Sequence, residues 1–391
     1  MSFLDLVRLM RPLTGKEKST LAELEPLLEK EDLASVRSWL KQGKVGISYS
    51  RFGISESLCP DRKFMQLSPD GQEGDLLDSI HEVNEKIRAN ARLLLFKSFS
   101  EAPMVRNMVA PGILLPDYLK EAVSLQLFSE EPVHILLLGD PGTGKTQVLY
   151  SVTDLAPVSS VGLGSGISKA GLGVTFRGDE MIKGLLPMAH GGICGIDELN
   201  LMKPQDYASL YNAMEKGFVA YDKGGKHTRL DARVSVIASA NPKGDRFVGK
   251  SREIIQKQLP FDPALLSRFH LVFFLRRPGI EEFREISKRI VQDTGMKVRK
   301  EDVGFVKDYV RHVSGPAVSF PSEFEAFVVD FAGDIKRNER KYLIELSPRF
   351  IVGFLRLTKA RARMHNRDKV SKEDVSIVKE LVLKSLSTSA K

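Results

Sequence analysis

The chain has 391 residues, 42% hydrophobic and 28% charged, a balance that suits a soluble globular protein of two or three domains. Its net charge of +8 favours polyanionic partners without requiring them. Two cysteines, Cys59 and Cys194, exclude a disulfide framework and a four-cysteine zinc site and point to a reducing, cytoplasmic or nucleoid-associated setting; no apolar run approaches the ~18 residues of a membrane span, and no long apolar signal core opens the chain.

Residues 1 to about 45 are predicted helical, because LDLVRLM, STLAELEPLLEK and LASVRSWLKQ place apolar residues three and four apart. GISYSRFGI (Gly46–Ile54) reads as a short hairpin and SPDGQEGD (Ser68–Asp75) as a polar linker. A long amphipathic helix is expected from about Leu76 to Phe99. From Val133 the pattern changes: VHILLLG, GGICGID, VSVIASAN and LVFFL are short apolar runs separated by helical stretches. That alternation predicts an α/β domain built on a buried, mainly parallel sheet. Beyond Pro278 the periodicity is helical throughout, and the last helix opens with Ser371 and Asp374 at capping-box spacing. Cys194 falls inside an apolar run and reads as core; the histidines show no metal-ligand spacing.

HILLLGDPGTGKT (His134–Thr146) matches G-x-x-x-x-G-K-[ST] directly after an apolar strand and before a helix, the context this phosphate-binding loop requires. The nucleotide-binding residues are Gly139, Asp140, Pro141, Gly142, Thr143, Gly144, Lys145 and Thr146. The glycines let backbone N–H groups curl around phosphate. Lys145 offers a cation to the outer phosphates, and Thr146 a hydroxyl to Mg²⁺ at a helix N-terminus. GGICGIDELN is an apolar strand ending in two carboxylates; Asp197 is expected on Mg²⁺ and Glu198 on the attacking water. Asn241 ends another apolar run and is placed to orient water. Arg268 stands just before LVFFL, where it can reach a neighbouring subunit as an arginine finger. The cofactors expected are ATP and Mg²⁺.

Taken together, LQLF before HILLLGDPGTGKTQVL, then HGGICGIDELNLM, MEKGFVAYDKGG, ARVSVIASANPKGDRF, LPFDPALLSRFHLVF, SPRFIVGFLRLTKARARM and RDKVSKEDV resemble AAA+ ATPases, and more narrowly the minichromosome maintenance (MCM) helicases, over about Phe96 to Leu383. Beside the small, mostly helical N-terminal domain that the apolar periodicity predicts, the resemblance implies a P-loop NTPase core, a mainly parallel sheet with helices on both faces, with an α-helical lid. It divides the chain into a reduced helical N-terminal domain (1–74), a linker helix (75–110), the ATPase core (111–278) and the lid (279–391). It makes Lys145 and Thr146 the P-loop pair, Asp197 and Glu198 the second motif, Asn241 the sensor, and Arg268 and Arg349 arginines presented in trans. It also implies a hexameric ring, or association with related AAA+ subunits, that moves DNA through a central channel.

The same resemblance puts GLGSGISKAGLGVTFRGDEM (Gly162–Met181) where the family inserts a hairpin, and AYDKGGKHTRLDAR (Ala220–Arg233) at its pre-sensor hairpin. Lys223, Lys226 and Arg229 on the second hairpin, and Lys169 and Arg177 on the first, are then the expected contacts to single-stranded DNA, for which cations at short spacing supply a phosphate track. Only Phe176 and Tyr221 offer aromatic faces among them. LTKARARMHNRDK (Leu357–Lys369) is more basic still but fits an amphipathic lid helix. The chain departs from the family in Gly144-Lys145-Thr146 for Ala-Lys-Ser, His270 for an aspartate and Leu199-Asn200 for Phe-Asp, and only about 100 residues stand where the family's OB-fold and zinc regions are expected. Two rival readings share these residues: a nucleotide-binding homologue that does not unwind DNA, and a chelatase- or MoxR-like remodeller of protein complexes.

Overall fold

The computed structural model describes residues 27–42, 45–49, 56–60, 72–178, 180–223, 226–244, 246–249, 251–292, 298–343 and 347–386. The chain divides into two compact units at about Ala102/Pro103.

In the N-terminal unit, helix α1 (Lys30–Lys41) carries the LASVRSWLK periodicity. Strands β1 (Val45–Tyr49) and β2 (Glu56–Pro60) pair antiparallel, Val45 opposite Pro60, so the second strand of the expected hairpin begins beyond Ile54. Helix α2 runs Gln72–Glu101. Its first turn takes up Gln72–Asp75, which the sequence assigns to a linker. Leu27, Val36, Ile80, Val83, Ile87 and Ala91 form the unit's core, and Lys86 pairs with Asp32 at 3.1 Å. The helices expected over 1–26 lie outside the described residues.

In the second unit, α3 (Asp117–Leu125) precedes β3 (Ile135–Gly139), which leads through the glycine-rich loop into α4 (Lys145–Leu155). Next come β4 (Ser159–Leu163), the hairpin β5 (Val174–Arg177) and β6 (Glu180–Lys183), β7 (Ile193–Asp197) and α5 (Tyr207–Lys216). The hairpin β8 (Phe218–Lys223) and β9 (Lys226–Asp231) leads to β10 (Ser235–Ala240) and β11 (Leu271–Leu275). The central sheet is parallel throughout, in the order β11-β3-β10-β7-β4. Every residue of β3, β7, β10 and β11 is buried, which is why those four strands read as continuous apolar runs. The fifth, SSVGL in β4, is an edge strand and partly exposed. It needs no apolar run, so it carries no such signal in the sequence.

After β11 come the helices α6 (Ile280–Gln292), α7 (Lys300–Val313), α8 (Glu325–Arg337), α9 (Arg349–Met364) and α10 (Lys372–Leu386). Phe331 of α8 packs on Phe354 of α9, ring centroids 5.4 Å apart. The capping box opening α10 is present: Ser371 N–H donates to Asp374 Oδ2 at 2.8 Å and Asp374 N–H to Ser371 Oγ at 3.3 Å. The arginines of the basic run turn inward. Arg361 and Arg367 both hold the fully buried Asp374, at 2.6 and 2.8 Å, and Arg363 reaches Glu130 at 2.8 Å. Burial alone would raise the Asp374 carboxyl, but the hydrogen bonds from Arg367, Ser371 and Arg361 outweigh it and hold it below the usual range.

Candidate active site

Parallel strands deliver their carboxyl ends to one edge of the sheet, where α/β proteins bind ligands. The register sets Leu138 of β3 beside Ala240 of β10, and Ala238 beside Ile196 of β7. The glycine-rich loop after β3, Asn241 after β10 and Asp197–Glu198 at the end of β7 therefore meet at one place. Gly142 and Gly144 have φ of +79° and +85°, a backbone region costly for any side chain. Gly144 caps α4, so the first helical N–H groups face the loop's hollow.

Lys145 is buried, and its Nζ donates to the carbonyls of Gly139 (2.9 Å) and Asp140 (2.7 Å). Burial lowers its pKa from 10.5 to about 8, against the pull of Asp140, Asp197 and Glu198. Thr146 Oγ1 donates to Asp197 Oδ1 at 3.2 Å. Thr146 and Asp197 offer only oxygen donors, and among the described residues no group of three or more His, Cys, Asp or Glu is set to cage a metal. That donor set suits an ion completed by phosphate oxygens and water, as Mg²⁺ usually is. A pocket of ≈ 280 Å³ lined by Ile113, Leu115, Pro116, Gly142, Thr143 and Leu275, among others, opens beside the loop.

Three side chains support this site in ways the sequence did not assign. Ser239, two residues before Asn241, donates to Asp197 Oδ1 and accepts the Glu198 N–H at 2.9 Å. Glu198 is held left-handed at φ +53°, and Gly164 packs so close that a Cβ there would lie 2.2 Å from the Glu198 carbonyl oxygen. Asn200, one of the departures from the family pattern, accepts the Asn241 N–H through Oδ1 at 2.9 Å, a bond an aspartate could equally accept. The Asp140 carboxylate is the third: it accepts the N–H of Phe247 (2.7 Å) and of Arg277 (3.1 Å), so its side chain braces the loop. No local signal in the buried run SVIASA singles out Ser239.

Arg268 and Arg349 stand elsewhere. Arg268 precedes the amino end of β11, whereas the loop follows the carboxyl end of the neighbouring β3; five residues of strand, roughly 16 Å, separate the two ends. Both arginines instead meet Glu215 of α5, each at 3.1 Å. His270, another departure, is buried: its Nδ1 accepts the His134 N–H at 2.9 Å, and His134 in turn holds Val236 N–H and the Met214 carbonyl.

The two hairpins lie side by side, the Phe176 and Tyr221 rings 4.9 Å apart. Those aromatic faces are spent on each other. Lys169 and Arg177 are exposed. Lys223 and Lys226 are partners in the β8–β9 register, and Gly224 and Gly225 lie outside the described residues. Arg229 stacks on Phe218 at 3.8 Å, nearer the hairpin's base than its tip. Cys194 is core as expected, its thiol pushed up to about 11 by burial.

The model of the MCM P-loop domain matches residues 96–294, just over half of the chain. The chain belongs to the MCM family. It is 30% identical over 307 residues to the minichromosome maintenance protein MCM of Saccharolobus solfataricus, covering 71% of this chain and 44% of that protein. The DNA replication licensing factor mcm4-B of Xenopus laevis is 28% identical over 342 residues (79% and 39%), and MCM7 of Arabidopsis thaliana 29% over 259 residues (62% and 36%). The chain thus spans less than half the length of these MCM relatives. It carries the nucleotide-binding ATPase core of the MCM family on the α/β fold its sequence predicts. No helix among the described residues is long and apolar enough to cross a membrane.

Proposed function

We propose that this chain is a DNA-associated ATP motor that hydrolyses ATP between subunits of an oligomer, hexameric or mixed with related subunits, and moves its hairpins against single-stranded DNA. The observation that carries this reading is the convergence of Lys145, Thr146, Asp197, Glu198 and Asn241 at one sheet edge, with Arg268 and Arg349 paired a strand length away. The phosphates fit the loop hollow, where Lys145 exchanges its carbonyl partners for phosphate oxygens; the apolar pocket suits the base. Thr146 and Asp197 would hold Mg²⁺, which neutralises developing charge on the phosphates. Glu198 orients and polarises the attacking water, and the Asn241 amide fixes it against the γ-phosphate. Arg268 and Arg349 complete the site of the next subunit. The hairpins β5–β6 and β8–β9 bring Lys169, Arg177, Lys223, Lys226 and Arg229 to DNA phosphates. We place the boundary between ATPase core and lid at Pro278, after β11, and keep residues 1–74 and 75–110 as N-terminal domain and linker helix.

The test is ATP turnover with and without single-stranded DNA, measured with the mass in solution. Lys145→Ala should abolish turnover; undiminished hydrolysis would remove the site assignment. Mixing Lys145→Ala with Arg268→Ala protein should restore part of the rate each lacks, because each supplies what the other has lost. Absence of any restoration at assembling concentrations refutes the shared site.

A further inference from the structure

One carboxylate holds both arginines that stand away from the P loop. Glu215 Oε2 lies 3.1 Å from Arg268 and Glu215 Oε1 3.1 Å from Arg349. Arg268 is further fixed by the Ala264 carbonyl and by Tyr211, whose ring lies 4.2 Å beneath the guanidinium one turn earlier on α5. Two guanidiniums on one carboxylate leave a net positive charge at a partly exposed surface, with side-chain exposures of 19% and 32% for the arginines. Such a cluster offers itself to an anion more highly charged than a carboxylate, because phosphate oxygens compete well for the same guanidinium donors.

Glu215 is also three residues from a hairpin. Gly217 ends α5 at φ +71° and donates its N–H to Ala213, and β8 starts at Phe218. The returning strand closes on the same point, Ala232 N–H donating to the Gly217 carbonyl at 2.8 Å. Phe218 carries Arg229 on its ring. A change in what Glu215 holds is therefore felt at the base of the cationic hairpin, through short rigid backbone.

We propose that Glu215 is a positioning residue: it presents Arg268 and Arg349 as one clamp for the triphosphate bound by a second copy of this chain, and it links the state of that clamp to the β8–β9 hairpin. The proposal rests on the shared-site reading above. When the neighbour's phosphates take the arginines, Glu215 is released and the end of α5, with the hairpin base, is free to shift. When the phosphate leaves, Glu215 recaptures both arginines.

The test compares Glu215→Gln, which keeps shape and loses charge, and Glu215→Asp, which keeps charge on a shorter stem, with wild type. Turnover, affinity for a fluorescent ATP analogue and stimulation by single-stranded DNA are read together. Mispositioning of catalytic groups costs up to on the order of 10²-fold in rate. Glu215→Gln should lower kcat by about that factor or less, leave analogue affinity unchanged and flatten the DNA stimulation; Glu215→Asp should recover part of both. In an Arg268→Ala, Arg349→Ala background, Glu215→Gln should cost nothing further, since residues acting as one unit are not additive. A kcat loss of equal size in both backgrounds, or wild-type kcat and DNA response in Glu215→Gln, overturns the proposal. If Glu215→Gln does not fold, Glu215→Asp is compared in the same two backgrounds, and an equal kcat loss in both overturns the proposal likewise. Turnover that survives Lys145→Ala overturns the underlying site reading instead, whatever the Glu215 variants do.

Discussion

Ser239→Ala removes one hydroxyl and two hydrogen bonds. One is the Glu198 N–H, accepted at 2.9 Å; the other runs to the buried carboxylate of Asp197. A neutral bond contributes about 1 kcal/mol and one to a charged group about 1.5–3, so the change should cost roughly 3 kcal/mol. Glu198 sits at φ +53°, which for a non-glycine residue costs roughly 1–2 kcal/mol. The lost N–H bond is of the same size as that strain, so without it Glu198 is free to leave the left-handed region and its carboxylate to move from the place proposed for it beside the attacking water. Unfolding should come roughly 6–10 °C earlier for a unit of this size, and kcat should fall about 10–100-fold, as an ångström-scale displacement of a catalytic group does. Affinity for the ATP analogue should hold, because no bond from Ser239 reaches the phosphate loop. Ser239→Cys, with a weaker donor and acceptor, should fall between. A Ser239→Ala protein within about twofold of wild-type kcat would show no transition-state role and refute the idea that this hydroxyl holds Glu198 in place.

Three further outcomes follow from the same structure. Lys145 titrates near 8 in the free protein because it is buried, and bound phosphate must raise that value; nucleotide affinity should weaken above pH 8 by up to about tenfold per pH unit, and a flat titration with a fluorescent analogue from pH 7 to 10 would contradict it. Burial holds His134 neutral, its pKa lowered from 6.5 to about 3, and His270 lies well below its ordinary value. The unfolded chain therefore binds more protons, and stability should drop as pH falls from 6.5 towards 3, by roughly 1.4 kcal/mol per unit from His134, with His270 acting in the same direction; denaturant melts across that range, compared with His134→Gln, measure the slope. Asp374→Asn leaves Arg361 and Arg367 without their buried counter-charge and should cost about 3–5 kcal/mol in chemical denaturation.

The parts of the site proposed to bind phosphate were legible because their chemistry constrains residue type and spacing along a continuous stretch. A glycine-rich loop ending in Lys-Thr has to follow a strand directly, and the buried strands β3, β7, β10 and β11 have to be apolar on both faces. The parts that hold those groups in place were not legible. Ser239 is a small polar residue in an otherwise apolar run, and nothing local tells a serine bonded to Asp197 across two strands from one facing solvent. Asn200 and His270 registered only as departures from a family pattern, and folding gave each a backbone N–H to accept. The basic run Leu357–Lys369 advertised charge that the fold spends internally on Asp374, Glu373 and Glu130.

By itself, then, the sequence determined the α/β core, the nucleotide loop, the carboxylate pair and the helices beyond Pro278, because each is encoded by periodicity or by a short motif acting within one or two elements. Only the tertiary structure decided which polar side chains brace that site, that Phe176 and Tyr221 join the hairpins, and that Arg268 and Arg349 share Glu215. Those facts depend on strand order and register, which bring together residues 41 to more than 130 positions apart, a separation no local pattern reports.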